Sequence, residues 1–175
     1  MSKIAAAVLV LVALSLFSIP MSAQLLPSGN VYGGVSYGQL SNVVKVNQQS
    51  YRGWEGAVEA FPFARYRHLS FVADASGYYR SNATSITQYN FVAGPRLSTT
   101  IGKWRPFVHG MAGIRHINSG GFISNPLGID VGGGADYKLF FKNFSWRVQG
   151  DYLRSHYQSA TQNDYHASTG IVWRF

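Results

Sequence analysis

The chain has 175 residues, with 15 Lys and Arg against seven acids, 46% hydrophobic content and only 13% charged residues. That is one domain's worth of protein with a sizeable apolar fraction, which excludes a disordered or strongly solvated chain. The absence of cysteine excludes a disulfide framework and a thiolate metal centre, and no apolar run is long enough for a bundle of membrane helices.

Residues 1–23 read as an address. Lys3 precedes an apolar stretch from Ile4 to Phe17, and Ser18-Ile19-Pro20-Met21-Ser22-Ala23 leads to an expected cut between Ala23 and Gln24. A positive start, a short apolar core and a small residue at the cut describe a secretory signal peptide. Pro20 disfavours the alternative of an uncleaved anchor, and the lack of cysteine excludes a lipoprotein anchor. The expected organisation is a signal peptide at 1–23 and a single β-barrel domain at 24–175, exported to the cell outer membrane.

Beyond that segment the periodicity is two, not 3.6. Eight alternating runs are predicted as strands: Val31–Gly38, Trp54–Phe61, Leu69–Tyr79, Thr87–Ser98, Arg105–His116, Leu127–Leu139, Ser145–Arg154 and Tyr165–Phe175. Each has about the length that a tilted membrane strand needs. The links Gln39–Gly53, Arg80–Ile86, Ile117–Pro126 and Ser155–Asp164 are long and polar, whereas those near Pro62–His68, Thr99–Trp104 and Phe140–Phe144 are tight. Long loops at one end and short turns at the other are the pattern of an outer-membrane barrel. Pro95 falls inside the fourth run, where a bulge or edge distortion is expected. The predicted fold is all-β: an eight-stranded antiparallel up-and-down transmembrane β-barrel.

The solvent follows from which face carries charge. Glu55, Glu59, Asp74, Asp130, Asp136 and Asp151 fall on one face of their runs, together with Arg96, Arg105, Arg115, Lys138, Arg147 and Arg174. The opposite face holds Gly, Ala, aliphatic and aromatic residues. Its aromatics sort by height: Tyr37, Trp54, Tyr79, Tyr89, Tyr152 and Tyr165 toward the long loops, and Tyr137, Trp146, Trp173 and Phe175 toward the short turns. Tyr and Trp favour membrane interfaces because each joins an apolar body to a polar tip, so two aromatic girdles around an aliphatic band predict lipid outside and ions inside. A water-soluble barrel has no reason to sort its rings in this way.

In this pattern the chain resembles the small eight-stranded outer-membrane barrels of Gram-negative bacteria, the OmpA transmembrane-domain, opacity and OmpX-like group. The closing run Gly170-Ile171-Val172-Trp173-Arg174-Phe175 carries the most specific part of the likeness. The resemblance implies insertion by the outer-membrane assembly machinery, with Trp173 and Phe175 as its signal; Phe175 also fits as a last girdle residue. It identifies a fold far better than a task.

An eight-stranded lumen is about wide enough to be filled by its own side chains. Unpaired ions there are costly, so pairing is expected. By height, Glu55, Asp130 and Asp151 are expected to meet Arg115 and His166, while Glu59 and Asp136 meet Arg96, Arg105, Lys138, Arg147 and Arg174. The principal reading is a plug of ion pairs in a non-enzymatic barrel with a structural or adhesion-like surface role. The alternatives are a narrow small-solute pore with weak anion preference and a lipid A-modifying hydrolase. His166-Ala167-Ser168 resembles the deacylase spacing on this scaffold, with Asp151 as the one candidate to orient the imidazole. His109 is expected to hydrogen-bond in the lumen. No catalytic residue, metal ligand or cofactor is assigned. Lys45, Arg52, Arg80 and Arg154 suit either lipopolysaccharide phosphates or simple loop solubility. The dispersed bases do not suggest nucleic acid, and any extracellular ligand is unspecified.

Overall fold

The computed structural model describes residues 28–40, 49–62, 66, 68–81, 85–119, 122–157 and 160–175. The expected signal segment and Lys45 lie outside them. The strands are β1 (Gly29–Leu40), β2 (Gln49–Ala60), β3 (Leu69–Ser81), β4 (Ser85–Ser98), β5 (Trp104–Ser119), β6 (Phe122–Ser124), β7 (Leu127–Lys138), β8 (Phe144–Tyr157) and β9 (Ala160–Arg174). Every pairing is antiparallel, the order runs β4-β3-β2-β1-β9-β8-β7-β5, and β4 also pairs β5, which closes the ring.

The ninth segment does not add a stave. Ile117↔Ser124 and Ile114↔Leu127 share one offset, so β6 and β7 are a single strand interrupted at Asn125 and Pro126. Arg115 N donates to the Pro126 carbonyl across the interruption, at 3.0 Å. The barrel is therefore eight-stranded.

Three of the four expected loops are mostly strand. Pairing continues to Ser81↔Ser85, Ser119↔Phe122 and Tyr157↔Ala160, and β1 and β2 remain paired to Leu40↔Gln49. Polar residues that alternate satisfy a ladder as well as apolar ones do, and this part of each hairpin has no apolar face to reveal it. Pro95 also behaves differently from the expectation. The offset of Ala93↔Ala112 equals that of Arg96↔His109, so no residue is inserted and the β4–β5 ladder simply skips Gly94 and Pro95. A proline removes a donor without requiring a bulge.

The faces are sorted as a lipid solvent demands. Val35, Val131 and Ile171 point outward with 66%, 55% and 45% of their surface exposed, while the inward Arg96, Arg115 and Arg147 retain 1% each. The lumen is not purely polar, because Tyr32, Val72, Val92, Phe107, Met111, Leu153 and Val172 are buried there too. A ring this narrow has to be filled by volume as well as by charge. The first and last strands meet at the short-turn end, where Gly29 and Phe175 exchange backbone hydrogen bonds of 3.2 and 3.0 Å.

Candidate functional site: the barrel lumen

Register places the lumen's charges. In β2, Glu55 and Glu59 lie two inward positions apart, with small Ala57 between them on the same face. In β7, Asp130 and Asp136 are separated by Gly132 and Gly134 on that face, leaving room for long side chains from the neighbouring strands. A Cβ at Gly132 would run into the Asp151 carboxylate. All seven acids of the chain face the lumen. Among the described side chains, five arginines face them: Arg96, Arg105, Arg115, Arg147 and Arg174.

Toward the short-turn end the charges alternate in sign. Glu59 accepts from Asn30 Nδ2 at 2.8 Å and Ser70 Oγ at 2.6 Å, and pairs with Arg96 at 3.4 Å and with Arg105 and Arg147 at 3.6 Å. Asp136 receives two nitrogens of Arg147, at 2.7 and 3.1 Å, and Arg174 at 3.3 Å. The guanidinium carbons of Arg96 and Arg147 lie 4.2 and 4.8 Å from the centre of the Phe107 ring, whose face attracts cations. Lys138, expected in this group, is instead exposed at the end of β7 and joins no ion pair among the described residues. Its long flexible stem lets the ammonium stay in water, where a buried position would cost more than pairing returns.

Toward the other end the expected pairing does not form. Arg115 is ion-paired with Asp164 and donates to Ser155 Oγ at 3.0 Å. Asp164, expected at the edge of a loop, is fully buried because β9 begins at Ala160. The acid was detectable as the continuation of the run backward from His166. Glu55, Asp74 and Asp130 have no cationic partner within 4.0 Å among the described residues. Asp151 bonds His109 Nε2 at 2.9 Å, and Gln149 Nε2 donates to both Glu55 and Asp151. Arg96 Nη2 is 3.3 Å from His109 Nδ1. Because a guanidinium only donates, Nδ1 accepts, and the Nε2 proton therefore points at Asp151.

His166 and Ser168 share the lumen with these groups. The Tyr32 hydroxyl donates to Ser168 Oγ at 3.1 Å, while the His166 ring lies 4.7 Å from that of Tyr78 and its Nε2 has no hydrogen-bond partner among the described residues. Neither side chain faces the outside, where a lipid acyl chain would lie.

On the outer face the aromatic residues make contacts around the ring. Trp54 Nε1 donates to the Tyr79 hydroxyl at 3.1 Å, which donates to Tyr89 at 3.3 Å; the Tyr152 and Tyr165 rings meet at a tilt with centroids 5.2 Å apart. Tyr37 is exposed at the same end. At the opposite end Trp146 donates to Thr169 at 2.8 Å, Trp173 lies 5.3 Å from Phe175, and Trp104, which the sequence pattern did not single out, lies 4.8 Å from Tyr137. The Trp54 indole covers Gly77, its partner on β3, where a side chain would collide with it.

Solved structures with the same closed ring of eight inverted strands decide the architecture. The fold is that of the small outer-membrane barrels. Neisserial surface protein A matches 84% of this chain and 97% of its own, with 16% identity and a TM-score of 0.66. Ail, the attachment invasion locus protein of Yersinia pestis, matches 85% and 98%, with 14% identity and a TM-score of 0.59. The outer membrane enzyme PagL matches 83% and 99%, with 16% identity and a TM-score of 0.50. At such identities the likeness is one of fold. No protein-family model matches the sequence, and a comparison with curated proteins finds no relative.

Proposed function

We propose that this chain is an integral outer-membrane β-barrel without enzymatic activity, closed along its lumen, whose outer hairpins serve envelope integrity or contact at the cell surface. The observation that carries the reading is the inverted polarity: exposed aliphatic residues between two heights of aromatic residues outside, and buried arginine–carboxylate pairs inside. Water-filled surroundings would make such an outer face adhesive to other copies and leave its interfacial aromatics without a purpose. The filled lumen supports a closed barrel over a pore.

The surface role rests on the hairpins. Beyond the Tyr152↔Tyr165 pair, β8 and β9 continue for five more pairs to Tyr157↔Ala160, a stiff projection above the aromatic ring. Arg52 and Arg154 stand exposed one outward position above Trp54 and Tyr152, the level at which lipopolysaccharide phosphates would lie. Outward-facing Trp173 and Phe175 at the end of β9 support the role of an assembly signal.

Three measurements test this. Expressed cells should carry the protein in the outer-membrane fraction, with boiled and unboiled samples migrating differently on a gel; recovery in the soluble periplasm would overturn the membrane reading. Planar bilayers should show no reproducible conductance steps, and steps would replace the closed barrel with the channel. Cells expressing the protein should bind host-cell or matrix surfaces more than cells expressing a form with the β8–β9 hairpin shortened. Equal binding, with intact envelope resistance to detergent in both, would remove the surface role.

A further inference from the structure

Because all seven acids face the lumen, no acidic side chain is left to balance the cations outside it. Those cations are not spread evenly. Three of the chain's five lysines, Lys103, Lys138 and Lys142, fall in or beside two short turns at one end of the barrel, between β4 and β5 and between β7 and β8. The two turns adjoin: β5 pairs β7, and Lys138 N donates to the Lys103 carbonyl at 2.9 Å. All three lysines are exposed, and none joins an ion pair among the described residues.

The β7–β8 turn is also apolar where a turn bathed in water would be polar. Phe140 is fully exposed and Phe141 is 72% exposed. Contacts fix the side to which the turn belongs. Phe144 is exposed and alternates with buried Ser145, so it stands on the outer wall, and the Phe141 ring meets it edge-on with centroids 6.5 Å apart. Phe144 is the register partner of Trp173, whose ring lies 5.3 Å from Phe175. Trp104, next to Lys103, lies 4.8 Å from Tyr137, next to Lys138. Phe141 therefore continues the lipid-facing wall past the ends of its strands instead of capping the lumen. The turn is held in that position, because Phe144 N donates to the Phe141 carbonyl at 3.1 Å and Arg174 N to the Asn143 carbonyl at 2.8 Å.

We propose that these two turns bind anionic phospholipids of the periplasmic leaflet, with Lys103, Lys138 and Lys142 on the headgroup phosphates and Phe141 and Trp104 against the acyl chains. A lysine stem runs along apolar surface while its ammonium reaches the headgroup level. A fluid leaflet offers phosphates in no fixed geometry, which suits a flexible point charge, whereas the fixed pairs of the lumen use arginine. With no acidic side chain nearby to oppose them, the three charges add, and their attraction for a negative leaflet fades within a Debye length. Continuity with the outer wall favours lipid over a protein partner, which would have to displace lipid from the same rings. The inference rests on the outer-membrane reading with the short turns toward the periplasm, and it adds which lipid that end selects.

The test places the barrel in phosphatidylcholine vesicles and reads tryptophan quenching by a minor lipid brominated on its acyl chains. In a Trp54→Phe background the remaining tryptophans, Trp104, Trp146 and Trp173, all report from the short-turn end. Brominated phosphatidylglycerol should quench more than brominated phosphatidylcholine at equal mole fraction. The expected enrichment is about fivefold, the attraction of one lysine at a charged membrane surface. Molar salt should abolish it. Lys103→Gln/Lys138→Gln/Lys142→Gln, which disturbs no lumen pair, should insert like the parent and show no preference. In cells, a photo-crosslinking residue in place of Phe141 should label phospholipid. Equal quenching by the two lipids, a preference unchanged in the lysine variant, or a discrete protein adduct at position 141 would each overturn the proposal and leave the membrane barrel standing. Failure of the parent to insert into vesicles would instead overturn the membrane reading on which it rests.

Discussion

Arg147 on β8 and Asp136 on β7 are register partners, and the guanidinium meets the carboxylate through two nitrogens, at 2.7 and 3.1 Å, with both side chains about 1% exposed. Arg147 also reaches Glu59, so a single cation ties the β2, β7 and β8 staves together from inside the ring. Removing it leaves two buried carboxylates short of charge. Arg147→Ala should therefore lose ~3–5 kcal/mol of unfolding free energy in detergent or lipid. The double variant Arg147→Leu/Asp136→Leu should lose less than the sum of the two single changes, because the pair's desolvation is relieved together. Additive losses in urea titrations would show that the pair does not interact.

A charge on the outer wall should be costly only at mid-height. Val131→Arg places a guanidinium on the exposed aliphatic band and should destabilise the lipid-embedded barrel by ~2–4 kcal/mol. Thr100→Arg, in the exposed β4–β5 turn, should change it little. Urea unfolding in lipid vesicles compares the two. Equal effects would remove hydrocarbon as the solvent of that face.

The Trp54 ring occupies the space above Gly77. Gly77→Leu should expel it, break the hydrogen bond to Tyr79, cost ~1–3 kcal/mol, and shift tryptophan emission to longer wavelength. Unchanged emission would mean that the ring does not depend on that gap.

Ser168 sits inside the wall with its hydroxyl held by Tyr32. Expression of the wild type and of Ser168→Ala should leave the acyl chains of lipid A identical by mass spectrometry. An acyl chain lost with the wild type and retained with the variant would make the barrel a hydrolase.

The strands and their two faces were legible because a narrow membrane barrel writes its solvent boundary into every second residue. Val131 and Asp130 are adjacent yet face opposite media, and period-two alternation reveals that directly. The pairing of Glu59 and Asp136 with their arginines followed from height alone. Asp164 was missed because polar hairpins carry no apolar stripe, so the strand start at Ala160 was invisible and its acid passed for a loop residue. Arg115 therefore pairs with Asp164 and not with the acids expected at its height. Lys138, expected in the lumen, is exposed for the opposite reason: parity sets its face, but not its distance from the mouth, where a flexible ammonium escapes to water. Nothing in the alternation could reveal that Gln149 bridges Glu55 and Asp151, since that depends on which of eight staves lie across from one another.

The seam between β1 and β9 joins residues as far apart in sequence as Asn30 and Arg174. Loop-closure entropy for such a span has to be overcome before any of its hydrogen bonds form, and the ring has no edge at which partial order can rest. The cylinder should consequently gain and lose its shape in one event, and cutting back either terminal stave would unroll the whole wall instead of fraying one corner.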